Sequence, residues 1–248
     1  MSENPLLPHR RLKELHALML RCNEFDRRHK DSPAREALLA AATIHLQPGD
    51  LLSGEGIDAT VEALAPLPRP NATATGKSMG KPKGDLRLPK GSRLTLCAAA
   101  ALGLQTAGSD GMVMALATAG SAEAGWAAAL EYAHLARLPL LLVCSDTTAG
   151  RPARKGASAL NWQTVSKLAK KLHFPVLSVD GEDAVAVYRV VQESAIRARV
   201  GDGPAVIWSV LTPKGAKQSR SMQPIARMES YLAARGLFPA KPAKKPRS

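Results

Sequence analysis

The sequence predicts an α/β protein: a mainly parallel sheet with helices on both faces, preceded by a helical N-terminal segment. Three observations carry this. Apolar runs of strand length alternate with helical stretches through the second half of the chain. Two of those runs, 139–145 and 204–211, are almost wholly apolar, as strands covered on both faces are. Alanine is abundant while aromatic residues make up only 4%, a composition that suits helices laid tightly against a sheet.

Residues 10–30 place Leu12, Leu15, Leu18, Leu20 and Phe25 at helical spacing, with bases on the opposite face. Ser32-Pro33 then supplies an N-cap followed by proline at the first helical position, and Glu36 supports the first turn. The helix so begun runs from Ala34 to about Leu46 and stops before Pro48-Gly49-Asp50. A short third helix is expected from Ile57 to Leu64, completing an N-terminal helical segment over 1–65. Residues 66–93 lose apolar periodicity and fill with Pro, Gly, Lys and Asn, which reads as a long basic loop. Next come helix 94–106, strand 112–117, helix 120–137 and strand 139–145. After a Gly- and Pro-containing segment the pattern resumes with helix 161–172, strand 175–179, helix 183–199 and strand 204–211. A last helix, about 224–235, closes an α/β domain spanning 94–238, and 239–248 reads as a disordered basic tail.

At 248 residues and 45% apolar content the chain can bury a sizeable core in one large domain or two small ones. Its net charge is +13, which favours acidic partners or nucleic acid. Much of that charge sits in loop and tail (Lys77, Lys81, Lys83, Lys241, Lys244, Lys245, Arg247), with no aromatic residues interleaved as stacking platforms require. The basic runs therefore read as solvated linker and tail, and nucleic acid is not the expected partner. Cys22, Cys97 and Cys144 are far apart in apolar surroundings and form no CxxC pair; they read as buried, reduced thiols. No apolar run approaches the length of a membrane span, and the N-terminus lacks the apolar core of a signal peptide. A soluble cytoplasmic protein is expected.

The most informative stretch is 112–148: strand, tight turn, helix, then a strand ending in small polar residues. In a parallel sheet this brings the turn after the first strand and the end of the second to the carboxyl edge, where ligands of such sheets bind. Elsewhere GKSMGKPKG (76–84) is no phosphate loop, since Asn71 stands where the first glycine belongs. Gly201-Asp202-Gly203 precedes a strand and reads as a turn. His16, His45, His134 and His173 lie in or at the ends of apolar-patterned helices and read as packed or capping residues.

Several blocks together resemble the α-subunit of the thiamine-diphosphate-dependent component of 2-oxo acid dehydrogenases, of pyruvate or branched-chain type. They are REALLAAATIHLQPGDLL (35–52), GSDGMVMALATAGSAEAGWAAALEYAHLARLPLLLVCSD (108–146), VDGEDAVAVYRVVQESAIRARVGDGPAVIWSV (179–210) and PIARMESYLAARGLF (224–238). The resemblance implies the thiamine-diphosphate-binding fold. It also implies a cofactor, thiamine diphosphate held through Mg²⁺, and an oligomer, either of this chain alone or with a β-type subunit.

The family's Gly-Asp-Gly falls on Ala117-Thr118-Ala119, followed by Gly120 and Ser121 at the start of the helix. Its Asn-Asn falls on Asp146-Thr147, and the carbonyl completing the Mg²⁺ site on Ala149. The implied cofactor turn is thus Ala117, Thr118, Ala119, Gly120 and Ser121, and the implied metal positions are Thr118, Asp146, Thr147 and Ala149. Mg²⁺ demands hard oxygen ligands, usually with one or two carboxylates, and two threonine hydroxyls bring no negative charge. A one-residue adjustment would bring in the Asp146 carboxylate. Gly120 and Ser121 can present amides and a hydroxyl to an anion, although Ser121 reads first as a helix N-cap. The family's histidine loops are absent: 211–219 and 51–60 contain no histidine, and Gly80 follows Ser78-Met79 where the family has one. The leading expectation is a divergent homologue with lost or weakened cofactor binding, acting as a non-catalytic or regulatory subunit. The alternatives are an active dehydrogenase subunit using Asp146, and a binder of an anionic partner through loop and tail.

Overall fold

The alternation of apolar runs produces a five-stranded sheet, all of it parallel, in the order β1-β2-β3-β5-β4. The structure, a computed structural model, describes residues 7–28, 35–54, 93–121, 125–148, 159–213 and 219–239. In chain order the elements are α1 (His9–Arg28), α2 (Glu36–Thr43), β1 (Leu51–Gly54), α3 (Arg93–Thr106), β2 (Val113–Thr118), α4 (Trp126–Leu135) and β3 (Leu140–Asp146). There follow α5 (Trp162–Leu172), β4 (Val176–Asp180), α6 (Ala184–Arg199), β5 (Ala205–Val210) and α7 (Pro224–Ala233).

Side chains alternate across each strand, so the sheet has a core on either side. Met114, Leu116, Leu141, Val143 and Ile207 pack against α1, α2, α6 and α7. Val113, Ala115, Leu140, Leu142, Cys144 and Trp208 pack against α3, α4 and α5. The connection β4–α6–β5 runs back toward β3, and α6 accordingly lies on the opposite face from α5, as a right-handed crossover requires. Helix starts are locally encoded. Asn161 Oδ1 accepts from the Thr164 amide (3.0 Å) at α5, and Asp183 Oδ1 accepts from Val185 and Ala186 (both 3.0 Å) at α6.

Two expectations change. The N-terminal segment is not wholly helical: Leu51–Gly54 is the edge strand β1, paired in parallel with β2. Its helices α1 and α2 cover the sheet itself and do not form a separate lobe. Helix 120–137 shortens to Trp126–Leu135, because Gly120 (φ +83°) and Gly125 (φ +75°) take left-handed conformations that a helix cannot include. The helix expected over 57–64, the loop 66–92 and the tail from 240 lie outside the described residues. Among the described residues no helix is long and apolar enough to cross a membrane.

Candidate functional site

Because every strand is parallel, the ends of β2, β3 and β5 share one edge, and the small polar residues of 117–121 and 145–148 gather there. The turn after β2 is closed by its own hydrogen bonds. The Ala119 amide donates to the Ser145 carbonyl (2.8 Å), Gly120 to Leu160 (2.7 Å) and Ser121 to Thr118 (3.0 Å). Leu160 returns an amide to the Ser121 carbonyl at 3.1 Å. All three turn amides thus have protein acceptors, and none is left for an anion. A Cβ on Gly120 would meet nothing within 4 Å; the glycine serves the backbone turn and not a close approach. Ser121 is not a helix N-cap, since α4 starts at Trp126 with Gly125 before it, and its Oγ is buried without a partner.

Thr118 and Asp146 project to opposite faces of the sheet. Thr118 continues the series Met114, Leu116 toward α2, and its register partner Ser145 places Oγ 3.4 Å from Thr118 Oγ1. Ser145 in turn pairs with Ser209, so three hydroxyls form a row across β2, β3 and β5 on that face. Asp146 follows Leu142 and Cys144 toward α4 and α5, and both oxygens of its carboxylate accept hydrogen bonds. Oδ1 accepts from the Thr148 amide (2.8 Å) and the Thr148 hydroxyl (2.6 Å), and Oδ2 from the Trp208 indole (2.9 Å). Trp162, the first residue of α5, packs its ring on Trp208 with centroids 5.8 Å apart. Thr147 follows Asp146 past the strand end, half-buried, and Ala149 lies outside the described residues. The structure brings Ala117–Ser121 together with Ser145, but not Thr118 with Asp146.

On the α2 side the edge holds a shallow recess with room for about one water molecule, lined by Arg35, Leu38, Leu39, Leu116, Thr118 and Ser145 among others. Arg35 and Ser209 escaped the sequence reading. A lone arginine before a helix and a serine inside an apolar strand carry no local signal; only the register places Ser209 beside Ser145.

The histidines and the glycine-flanked aspartate singled out in the sequence pack on rings, end a helix or form a turn. His16 packs on Phe238, His45 on Tyr188 and His134 on Phe174, while His173 (φ +61°) ends α5 with its amide on the Ala169 carbonyl. Gly201-Asp202-Gly203 is a turn before β5, with Asp202 Oδ2 3.2 Å from Arg197 Nε. The three cysteines are buried and form no disulfide, and burial, with Asp146 nearby, pushes the Cys144 thiol well above its ordinary range. Among the described residues no three His, Cys, Asp or Glu side chains cluster as metal ligands.

A sequence-family model described as "Dehydrogenase E1 component" matches residues 83–211, more than half of the chain. The chain belongs to that family. It is 26% identical over 168 residues to the pyruvate dehydrogenase E1 component subunit alpha of Staphylococcus epidermidis, covering 60% of this chain and 45% of that protein. It is 34% identical over 80 residues to the 3-methyl-2-oxobutanoate dehydrogenase subunit alpha of Mycobacterium tuberculosis, covering 26% of this chain and 22% of that protein. The chain thus spans less than half the length of these curated relatives. Among solved structures it resembles a proposed thiamin diphosphate-dependent enzyme from Mycobacterium smegmatis. That likeness has a TM-score of 0.52 at 15% identity, covering 74% of this chain and 32% of that one. The fold is the α/β thiamine-diphosphate-binding fold.

Proposed function

We propose that this E1-family chain is a non-catalytic or regulatory homologue of the dehydrogenase α-subunit that has lost the binding of thiamine diphosphate and Mg²⁺. The observation that carries the reading is the commitment of the turn amides and of the Asp146 carboxylate to the protein itself. The amides of Ala119, Gly120 and Ser121 are hydrogen-bonded internally, and both Asp146 oxygens accept protein donors. A diphosphate needs free donors, and Mg²⁺ needs converging oxygens with carboxylate charge. Thr118 and Asp146 diverge, so the residues present do not fit the group. What remains is a scaffold for assembly, with a β-type subunit as the family resemblance implies or with a second copy of itself. Three buried cysteines outside any disulfide support a reducing, cytoplasmic setting.

Calorimetric titration of the purified chain with thiamine diphosphate and Mg²⁺ tests this. No saturable binding is expected. Saturable micromolar binding overturns the proposal and favours an active subunit. Co-purification with a β-type subunit, followed by the same titration of the complex, asks whether the partner supplies the missing groups; binding there would likewise overturn it.

A further inference from the structure

The sheet ends laterally in β4, which among the described residues pairs with β5 alone and has no strand on its other side. The register fixes which of its peptide groups are used. The Pro175 carbonyl accepts from the Val206 amide (3.0 Å), and the Gly181 amide donates to the Val210 carbonyl (2.8 Å). The N–H and C=O of one residue point to the same side of a strand, and those of its neighbours to the other side. Pro175, Leu177, Val179 and Gly181 therefore face β5, while Val176, Ser178 and Asp180 turn their peptide groups outward. The Asp180 carbonyl accepts from the Asp183 amide at 3.1 Å. The amides and carbonyls of Val176 and Ser178 have no partner among the described residues.

An unpaired strand side is a template for another strand, and protected edges carry lysine, proline or a bulge. From Val176 to Asp180 β4 has neither lysine nor proline, and its register with β5 runs without a bulge. Of its five residues only Val179 is buried.

The charges at the two ends of β4 select the occupant. Val176 packs on the α5 side of the sheet and Val179 on the α6 side, so the side chains of Val176, Ser178 and Asp180 share the α5 face. At the amino end of β4, α5 closes with Lys170 and Lys171, both exposed. At the carboxyl end the Asp180 side chain remains 53% exposed even with Arg227 at 2.8 Å. A strand laid antiparallel beside β4 brings its carboxyl end to those lysines, and the strand that suits them ends in an acid. β4 is itself such a strand. With Ser178 facing Ser178, the outward residues fall opposite one another, as antiparallel hydrogen bonding requires. Each Ser178 then exchanges both bonds with the other, and Val176 faces the second copy's Asp180.

We infer that β4 is the docking edge for a second copy of this chain, the two strands pairing antiparallel across a twofold axis and joining two sheets into one. Pairing through β4 goes beyond the proposed function, because it depends on neither the turn amides nor Asp146. Dimer mass and thiamine diphosphate titration are separate readouts, so either proposal can fail while the other stands.

Sedimentation velocity of the full chain between about 1 μM and about 100 μM reads the association. A concentration-dependent shift to twice the monomer mass is expected. Ser178→Pro removes an outward N–H that β5 does not use, at a position where an edge strand tolerates proline. It is expected to weaken dimerisation at least about tenfold. Lys170→Glu with Lys171→Glu weakens it several-fold, and adding Asp180→Lys recovers most of that loss. A monomer throughout the range overturns the inference, another segment of the chain or a different protein then being the occupant of the edge. A dimer equally tight in folded Ser178→Pro overturns it too, the copies then meeting through another face. Should Ser178→Pro fail to fold by circular dichroism, the charge reversal decides: no weakening, or no recovery with Asp180→Lys, overturns the pairing.

Discussion

Trp208 on β5 donates its indole N–H to Asp146 Oδ2 at the end of β3, at 2.9 Å, while Thr148 donates to Oδ1. The aromatic residue thus holds the Asp146 carboxylate on its own face of the sheet. Trp208→Phe keeps most of the buried ring and removes the donor. A hydrogen bond to a charged group contributes about 1.5–3 kcal/mol, so a loss of that order is expected in urea denaturation. Freed of its donor, Asp146 still faces away from Thr118, so the variant is expected to gain no Mg²⁺-dependent binding of thiamine diphosphate by calorimetry. Gain of such binding would show that the hydrogen bond, and not the opposed faces, disables the site.

Two glycines separate steric need from helix propensity. A Cβ on Gly111, just before β2, would lie 2.6 Å from the Gly49 carbonyl oxygen, a backbone atom with little freedom to move. Gly111→Ala is expected to destabilise by about 1–3 kcal/mol through overpacking. Gly103, inside α3, has nothing within 4 Å of such a Cβ. Gly103→Ala is expected to stabilise by about 0.5–1 kcal/mol, since alanine loses less backbone entropy in a helix. Thermal melts of the two variants should therefore shift in opposite directions.

The sequence made the central strands legible because both faces of β3 and β5 are buried and the apolar runs are nearly unbroken. β1 was not legible. It is four residues long, Leu-Leu-Ser-Gly, and is a strand only because Leu51 and Leu52 pair with Val113 and Met114; tertiary pairing overrides so short a pattern. At the site, the family motif falls on the turn after β2 and the end of β3. The direction of each side chain came from strand alternation, and a register shift of one residue moves a group to the opposite face. Asp146, one residue along from the position the motif marks, accordingly faces away from Thr118. Arg35 reaches the same edge from a distant helix, a relation the linear order does not encode.

Asp50, read from the sequence only as part of a turn, is a buried junction. Its side chain is 1% exposed, accepts from the amides of Gln47 (2.7 Å) and Met112 (2.8 Å), and pairs with Arg199 of α6. It thereby joins the start of β2 to the end of α6. Arg199→Met leaves the carboxylate buried without its counter-charge and is expected to destabilise by about 3–5 kcal/mol. Arg199→Met with Asp50→Asn removes the stranded charge and keeps an acceptor for one amide. The double variant is expected to recover part of the loss in chemical denaturation, and a double variant worse than the single would contradict the ion-pair account.

His45 ties the pH response to the same junction. Its Nε2 lies 3.0 Å from the Tyr188 carbonyl, so the neutral ring donates there, and the ring packs on Tyr188. Burial pushes its pKa down to about 4, with Arg11 and Arg199 adding to the effect against the Tyr188 carbonyl. In the unfolded chain the ordinary value is 6.5, so between these values the unfolded state binds more protons than the folded one. Stability is then full above about pH 6.5 and falls as the pH drops toward 4, by about 3 kcal/mol for this residue. Burial lowers His16 as well, in the same direction, while burial raises the Asp50 carboxyl and works the other way. The difference between the parent and His45→Phe cancels those contributions. Phe keeps a ring against Tyr188 without a titrating group. Urea denaturation of both proteins from pH 4 to 7.5 is expected to show a steeper acid loss in the parent. Parallel curves would mean that His45 titrates alike in the folded and unfolded chain, and that the acid loss arises elsewhere.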